Sequence, residues 1–159
     1  MTKAARTARP PLRVLVLHGP SLSRLGRREP ELYGTTTLAA IDRALRAQGK
    51  RDGLTVRCRQ SNHEGVLIDS LLAAADDGTG GVLLNAGALA HTSLALADAV
   101  RAVAPLPVVE VHLTNTAARD RPALVGAACR ARVEGFGAAS YLVALRALAE
   151  VLAGPKKGP

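Results

Sequence analysis

The sequence predicts an α/β domain in which helices cover both faces of a five-stranded parallel sheet. Two observations carry this expectation. Short β-branched or leucine-rich runs at residues 12–17, 54–59, 81–84, 107–111 and 131–134 read as strands. Between them, longer stretches space their apolar residues as helices do. Residues 37–48 place Leu38, Ile41 and Leu45 on one face, 65–75 and 93–103 repeat the pattern, and 138–152 closes the chain. Strands that alternate with helices pair in parallel through right-handed crossovers, most simply in a flavodoxin-like order.

Composition bounds what such a domain does. The 159 residues, 48% hydrophobic, suffice for one core, placed at residues 12–153 between flexible tails at 1–11 and 154–159. The formal charge of +8 points first to nucleic acid, but Lys3, Arg6, Arg9, Arg13, Lys156 and Lys157 lie in the two ends, which leaves about +2 for the body. Three aromatic residues provide no stacking platform, so no nucleic-acid surface is expected. Residues 78–97 are uncharged and long enough to imitate a membrane span, yet Asn85, His91, Thr92, Ser93 and four glycines divide them into strand, loop and helix. No membrane association and no export signal are read. Cys58 and Cys129 have no C-x-x-C partner or histidine at ligand spacing, and they are expected as buried free thiols of a cytoplasmic protein.

In an open parallel sheet, ligands bind beyond the carboxyl ends of the strands. The segments expected there are polar or glycine-rich: His18-Gly19-Pro20, Gln60 to Glu64, Asn85-Ala86-Gly87, and Glu110 to Asn115. Glu110 and His112 stand two apart on an otherwise apolar strand, so both side chains fall on one side of it. A glutamate so placed orients the imidazole and favours its protonated form, which makes an acid/base pair; an ion pair capping the strand is the other reading. Similarly, in His91-Thr92-Ser93 either hydroxyl serves to cap the next helix. The connection at residues 21–34 is long enough for a lid and carries Arg24, Arg27, Arg28 and Tyr33. Tyr33 is either a packing residue or a general base whose phenolate a nearby guanidinium favours.

Two motifs are set aside. Gly135-Phe136-Gly137 imitates a dinucleotide fingerprint, but no later strand with an acidic tip follows it; close packing of the last helix explains it better. His63-Glu64 lacks the second histidine of a zinc-protease motif, and no metal is expected.

Five blocks occur in an order that resembles the type II 3-dehydroquinate dehydratases: LVLHGPSLSRLGRREPELYG at 15–34, RQSNHEG at 59–65, LNAGALAHTSLALADA at 84–99, EVHLTN at 110–115 and EGFGAASYLVALRAL at 134–148. The resemblance implies a flavodoxin-like fold, a dodecamer of four trimers, and cofactor-free anti elimination of water from 3-dehydroquinate. It assigns proton abstraction beside the ketone to Tyr33, with Arg28 favouring its phenolate. Protonation of the departing hydroxyl falls to His112, held by Glu110. Substrate binding falls to Asn85, the backbone of Leu113 and Thr114, the Thr114 hydroxyl, His91, Ser21, and Asp98 from a neighbouring subunit.

The chain departs from the family pattern at four positions. Ser21 replaces an asparagine that faces the enolate, Ala123 a ring-hydroxyl-reading arginine, Ala117 a histidine and Ala97 an arginine. A shifted loop would let Arg119 or Arg121 substitute for the missing arginine. The departures leave open a dehydratase for an amino-substituted analogue, or a catalytically silent ligand-binding homologue.

Overall fold

A computed structural model describes residues 11–154. Five strands, β1 (Leu12–His18), β2 (Leu54–Gln60), β3 (Thr79–Asn85), β4 (Val108–His112) and β5 (Ala131–Glu134), form one sheet in the order β2-β1-β3-β4-β5. Every neighbouring pair is parallel, as the strand–helix alternation predicts. The expected tails lie outside the described residues, apart from Pro11 and Gly154.

Successive residues of β1 point to opposite faces and divide the interior in two. Leu15 and Leu17 pack with Leu67 and Leu71 of helix α3 (Glu64–Asp76) and with Leu96 and Val100 of α4 (Leu94–Ala102). Val14 and Val16 pack with Ile41 and Leu45 of α2 (Leu38–Arg51) and with Tyr141, Leu145 and Leu148 of α5 (Ala139–Ala153). A sheet covered on both faces needs strands apolar on both sides, which explains why β1, β3 and β4 read as continuous apolar runs.

Local chemistry starts the helices. Thr37 accepts from the Ala40 amide at 3.2 Å and Ser93 from the Leu96 amide at 2.8 Å, so of the two hydroxyls expected to cap the fourth helix Ser93 is the one that does. Two expectations need correction. The long connection at 21–34 is not plain loop: it holds a 3₁₀ turn at Leu22–Arg24 and a helical turn, α1 (Pro30–Tyr33), whose first residue, proline, is preset for that position. Cys58 and Cys129 are free but only partly buried, since Cys58 lies on the edge strand β2 and Cys129 just before the other edge strand, β5, each packed against a core cluster rather than inside it. Even so, burial pushes both thiols up to about 12, with a carboxylate, Asp42 or Glu110, adding to the effect.

Among the described residues no helix is long and apolar enough to cross a membrane.

Candidate active site

β1 pairs with β2 on one side and β3 on the other, so the strand order reverses at the β1/β3 junction. Loops leaving that junction part and open a crevice. Gly19 makes the parting possible: its amide donates to the Asn85 carbonyl at 2.7 Å, and a Cβ there would strike the Ala86 backbone. A cleft of about 130 Å³, open at its mouth, lies beyond these strand ends.

The structure brings most of the expected residues to this cleft. Arg28 and Tyr33 come from the lid, Ser21 from the β1 exit, Asn85 from the β3 exit, His91 from the turn beyond it, and His112, Leu113 and Thr114 from the β4 exit. Glu110 does not line the cleft; it is fully buried behind His112. Asp98 stands apart on α4, highly exposed and paired with Arg101 at 2.8 Å. Arg119 and Arg121 both reach the cleft, whereas the alanines at 117 and 123 do not line it. Among the described residues no carboxylate lines the cleft, so three guanidinium groups and two imidazoles make it a receptor for an anion.

At the lid side, the Arg28 and Arg119 guanidinium carbons each lie 5.8 Å from the Tyr33 ring centre. Arg119 also donates to the Tyr33 hydroxyl at 3.2 Å and to the Thr114 hydroxyl at 3.3 Å. Positive charge therefore stands where a phenolate would carry its negative charge. The sequence offers Arg119 only as a substitute for the arginine missing at 123, and its bond to Tyr33, 86 residues away, has no mark in the pattern.

At the β4 side, Glu110 Oε1 and His112 Nε2 are 3.5 Å apart, and neither has another hydrogen-bond partner. Glu110 Oε2 accepts from Arg132 Nε at 2.7 Å, which fixes the carboxylate. A buried polar pair left open is costly, so a small tightening that closes it is favoured and directs the opposite ring nitrogen to a ligand. His91 stacks on His112, with ring centres 5.7 Å apart and planes 19° apart. Its Nδ1 lies 2.7 Å from the Pro122 carbonyl and donates to it, which leaves Nε2 free to accept.

Arg132 was not singled out by the sequence reading. It is placed by strand register, Glu110 opposite Arg132 and His112 opposite Glu134. Arg132 Nη2 also donates to Glu134 at 3.1 Å and to the Thr116 hydroxyl at 2.8 Å. Burial raises the Glu134 carboxyl, but hydrogen bonds from Thr116 and the charges of Arg132 and His112 outweigh it and hold the group below its usual range. Stability from a lowered acid is complete above the unfolded pKa of 4.5 and is lost as pH falls through the folded value. Glu134→Gln should therefore lower the melting temperature at pH 7 and make little difference near pH 3, as differential scanning fluorimetry across pH will show; an equal loss at both values would contradict the account.

A model of the dehydroquinase class II family matches residues 12–149. The chain belongs to the class II dehydroquinase family. It is 51% identical over 144 residues to the 3-dehydroquinate dehydratase of Ruegeria pomeroyi, covering 86% of this chain and 92% of that protein. It is 52% identical over 142 residues to that of Thermus thermophilus, covering 87% and 95%. The crystal structure of the type II dehydroquinase of Propionibacterium acnes superposes with a TM-score of 0.81 at 40% identity, over 86% of this chain and 95% of that one. The corresponding structure from Butyrivibrio crossotus gives 0.84 at 32% identity, over 88% and 99%.

In this class II dehydroquinase the residue at the β1 exit has a strained backbone. Ser21 adopts φ 67°, ψ −4°, a left-handed conformation that asparagine tolerates better than serine. Ser21→Asn, which restores the residue of the family pattern, should stabilise the fold by up to about 1 kcal/mol. Thermal unfolding checks this, and a lower melting temperature would count against strain at residue 21.

Proposed function

We propose that this chain dehydrates 3-dehydroquinate without a cofactor, through an enolate. The observation that carries the reading is a single anion-attracting cleft with a phenol close to two guanidinium groups at one side and a carboxylate-backed imidazole at the other. Tyr33 as phenolate takes the proton from the carbon beside the ketone, and the electrons of that C–H bond form the enolate double bond. When the enolate collapses, the C–O bond breaks. His112 gives its proton to the departing hydroxyl, which leaves as water.

Binding follows from the same groups. The substrate carboxylate meets Asn85, the Leu113 and Thr114 amides and the Thr114 hydroxyl, which already accepts from Arg119 and so has its own proton to donate. His91, with Nε2 free, accepts from a ring hydroxyl. Arg121, which lines the cleft, is positioned to read hydroxyls in place of the arginine missing at 123. Ser21 faces the enolate side.

The working assembly in this reading is a dodecamer of four trimers in the cytoplasm, with Asp98 entering a neighbour's cleft. Support comes from α4: Leu94, one turn before Asp98, is 66% exposed, as an apolar residue awaiting a partner would be. Light scattering on the purified protein tests the assembly.

Ultraviolet absorbance of the enone product, followed with 3-dehydroquinate and with its amino-substituted analogue, tests the activity. Faster turnover of dehydroquinate is expected. Absence of product from both would overturn the enzymatic reading, and preference for the analogue would change the substrate.

A further inference from the structure

Behind the cleft, a chain of buried polar groups runs from α2 through the sheet to Asn85. Asp42 Oδ1 lies 2.9 Å from His18 Nε2, His18 Nδ1 lies 2.9 Å from the Tyr141 hydroxyl, and Asn85 Nδ2 donates to that hydroxyl at 2.9 Å. His18 and Tyr141 are fully buried and Asn85 nearly so. None of His18, Tyr141 or Asp42 lines the cleft.

We propose that Asp42, His18 and Tyr141 are positioning residues for catalysis: their fixed hydrogen-bond direction holds the Asn85 amide with its nitrogen, not its oxygen, available to the anionic substrate. The proposal rests on the reading of Asn85 as a substrate contact.

The direction follows from donor and acceptor inventory. Burial raises the Asp42 carboxyl, but the hydrogen bond from His18, with one from Cys58 and the charge of Arg46, outweighs this and holds it below the usual range. Asp42 is thus an acceptor, and His18 Nε2 must donate to it. With Nε2 as the donor, Nδ1 is the nitrogen left to accept, and it faces a Tyr141 hydroxyl that already receives the Asn85 NH₂ and still has its own proton to place. Burial drives the Tyr141 phenol well above its ordinary range, so its proton stays and is donated to Nδ1. The Tyr141 oxygen is then left to accept, and only the NH₂ of Asn85 satisfies it. On the other side, the Gly87 amide donates to Asn85 Oδ1 at 3.2 Å, which agrees with the same orientation.

Each group therefore dictates the next. One Asn85 proton is used by Tyr141 and the second is free for a ligand. A flipped amide would present a carbonyl oxygen to the substrate carboxylate and lose both hydrogen bonds. Asp42, His18 and Cys58 bring ligand-type atoms within 4.8 Å of one another, but these atoms serve the chain described here.

The test measures kcat/KM for dehydroquinate in Tyr141→Phe and Asp42→Asn, alone and in an Asn85→Ala background, with melting temperatures for every variant. Tyr141→Phe deletes one oxygen, and a loss of about tenfold is expected. Asp42→Asn removes the fixed acceptor and should lose less. Neither change should add to the loss already present in Asn85→Ala, because both act through that side chain. Losses that multiply with Asn85→Ala, as a general weakening of the fold would produce, overturn the proposal. Rates within about twofold of wild type in both single variants do so too. Should Tyr141→Phe fail to fold, Asp42→Asn, half-buried at the end of the chain, decides the matter by the same comparison. Lack of turnover by the wild-type protein would refute the proposed function instead, and an active protein indifferent to Asn85→Ala would remove the role of Asn85 on which this proposal depends.

Discussion

Tyr33→Phe is expected to lower kcat by about 10²–10⁴-fold while the protein remains folded. The phenol oxygen is the atom removed, and its partner in the structure is the partly buried guanidinium of Arg119 at 3.2 Å, which also meets the Thr114 hydroxyl and so is not left unsatisfied. Tyr33 is also only partly buried, so little core packing changes. The expected signature is a fall in kcat with little change in KM, because the lost oxygen acts on the reacting carbon and the carboxylate is bound elsewhere in the cleft. Enone formation under saturating substrate measures it. A kcat within tenfold of wild type would remove Tyr33 from proton abstraction.

Glu110→Gln should be nearly as damaging, and in two ways. Glu110 is fully buried, and its two oxygens face different partners: Oε2 holds Arg132 at 2.7 Å and Oε1 faces His112 at 3.5 Å. An amide keeps the shape but removes the charge that faces His112, and its NH₂ group must point at one of two donors. A loss of about 10²-fold in kcat follows from a misdirected imidazole. The fold should also be weakened, by about 3 kcal/mol as for one partner removed from a buried pair, reduced to the extent that Glu134 still meets Arg132. Chemical denaturation and steady-state rates measured on the same preparation separate the two effects. Full activity in Glu110→Gln would mean that the pair serves structure alone.

The residues proposed for proton transfer and most of those proposed for binding were legible because they lie where a simple rule places them, at the polar ends of apolar strands. Glu110 and His112 were found by a period of two, and Tyr33 with Arg28 by the length and charge of one connection. The family pattern then gave each a separate task. The residues that support them carry no such mark. Arg132 looks like an ordinary alternating residue of a short strand, and His18 like the last residue of an apolar one. Tyr141 sits inside a helix whose glycine-rich entry drew attention to itself.

For this chain the sequence determined the strand–helix order, hence the parallel sheet, and the residues at strand exits, because periodicity and polarity are local properties that burial on two faces imposes directly. Tertiary structure decided the pairings. Arg132 meets Glu110 only through the β4–β5 register, His18 meets Tyr141 across 123 residues, and Arg119 meets Tyr33 across 86. Such contacts depend on which strands become neighbours and on how far a side chain reaches, and a hydrogen bond between residues far apart in sequence leaves no trace in the spacing of either one.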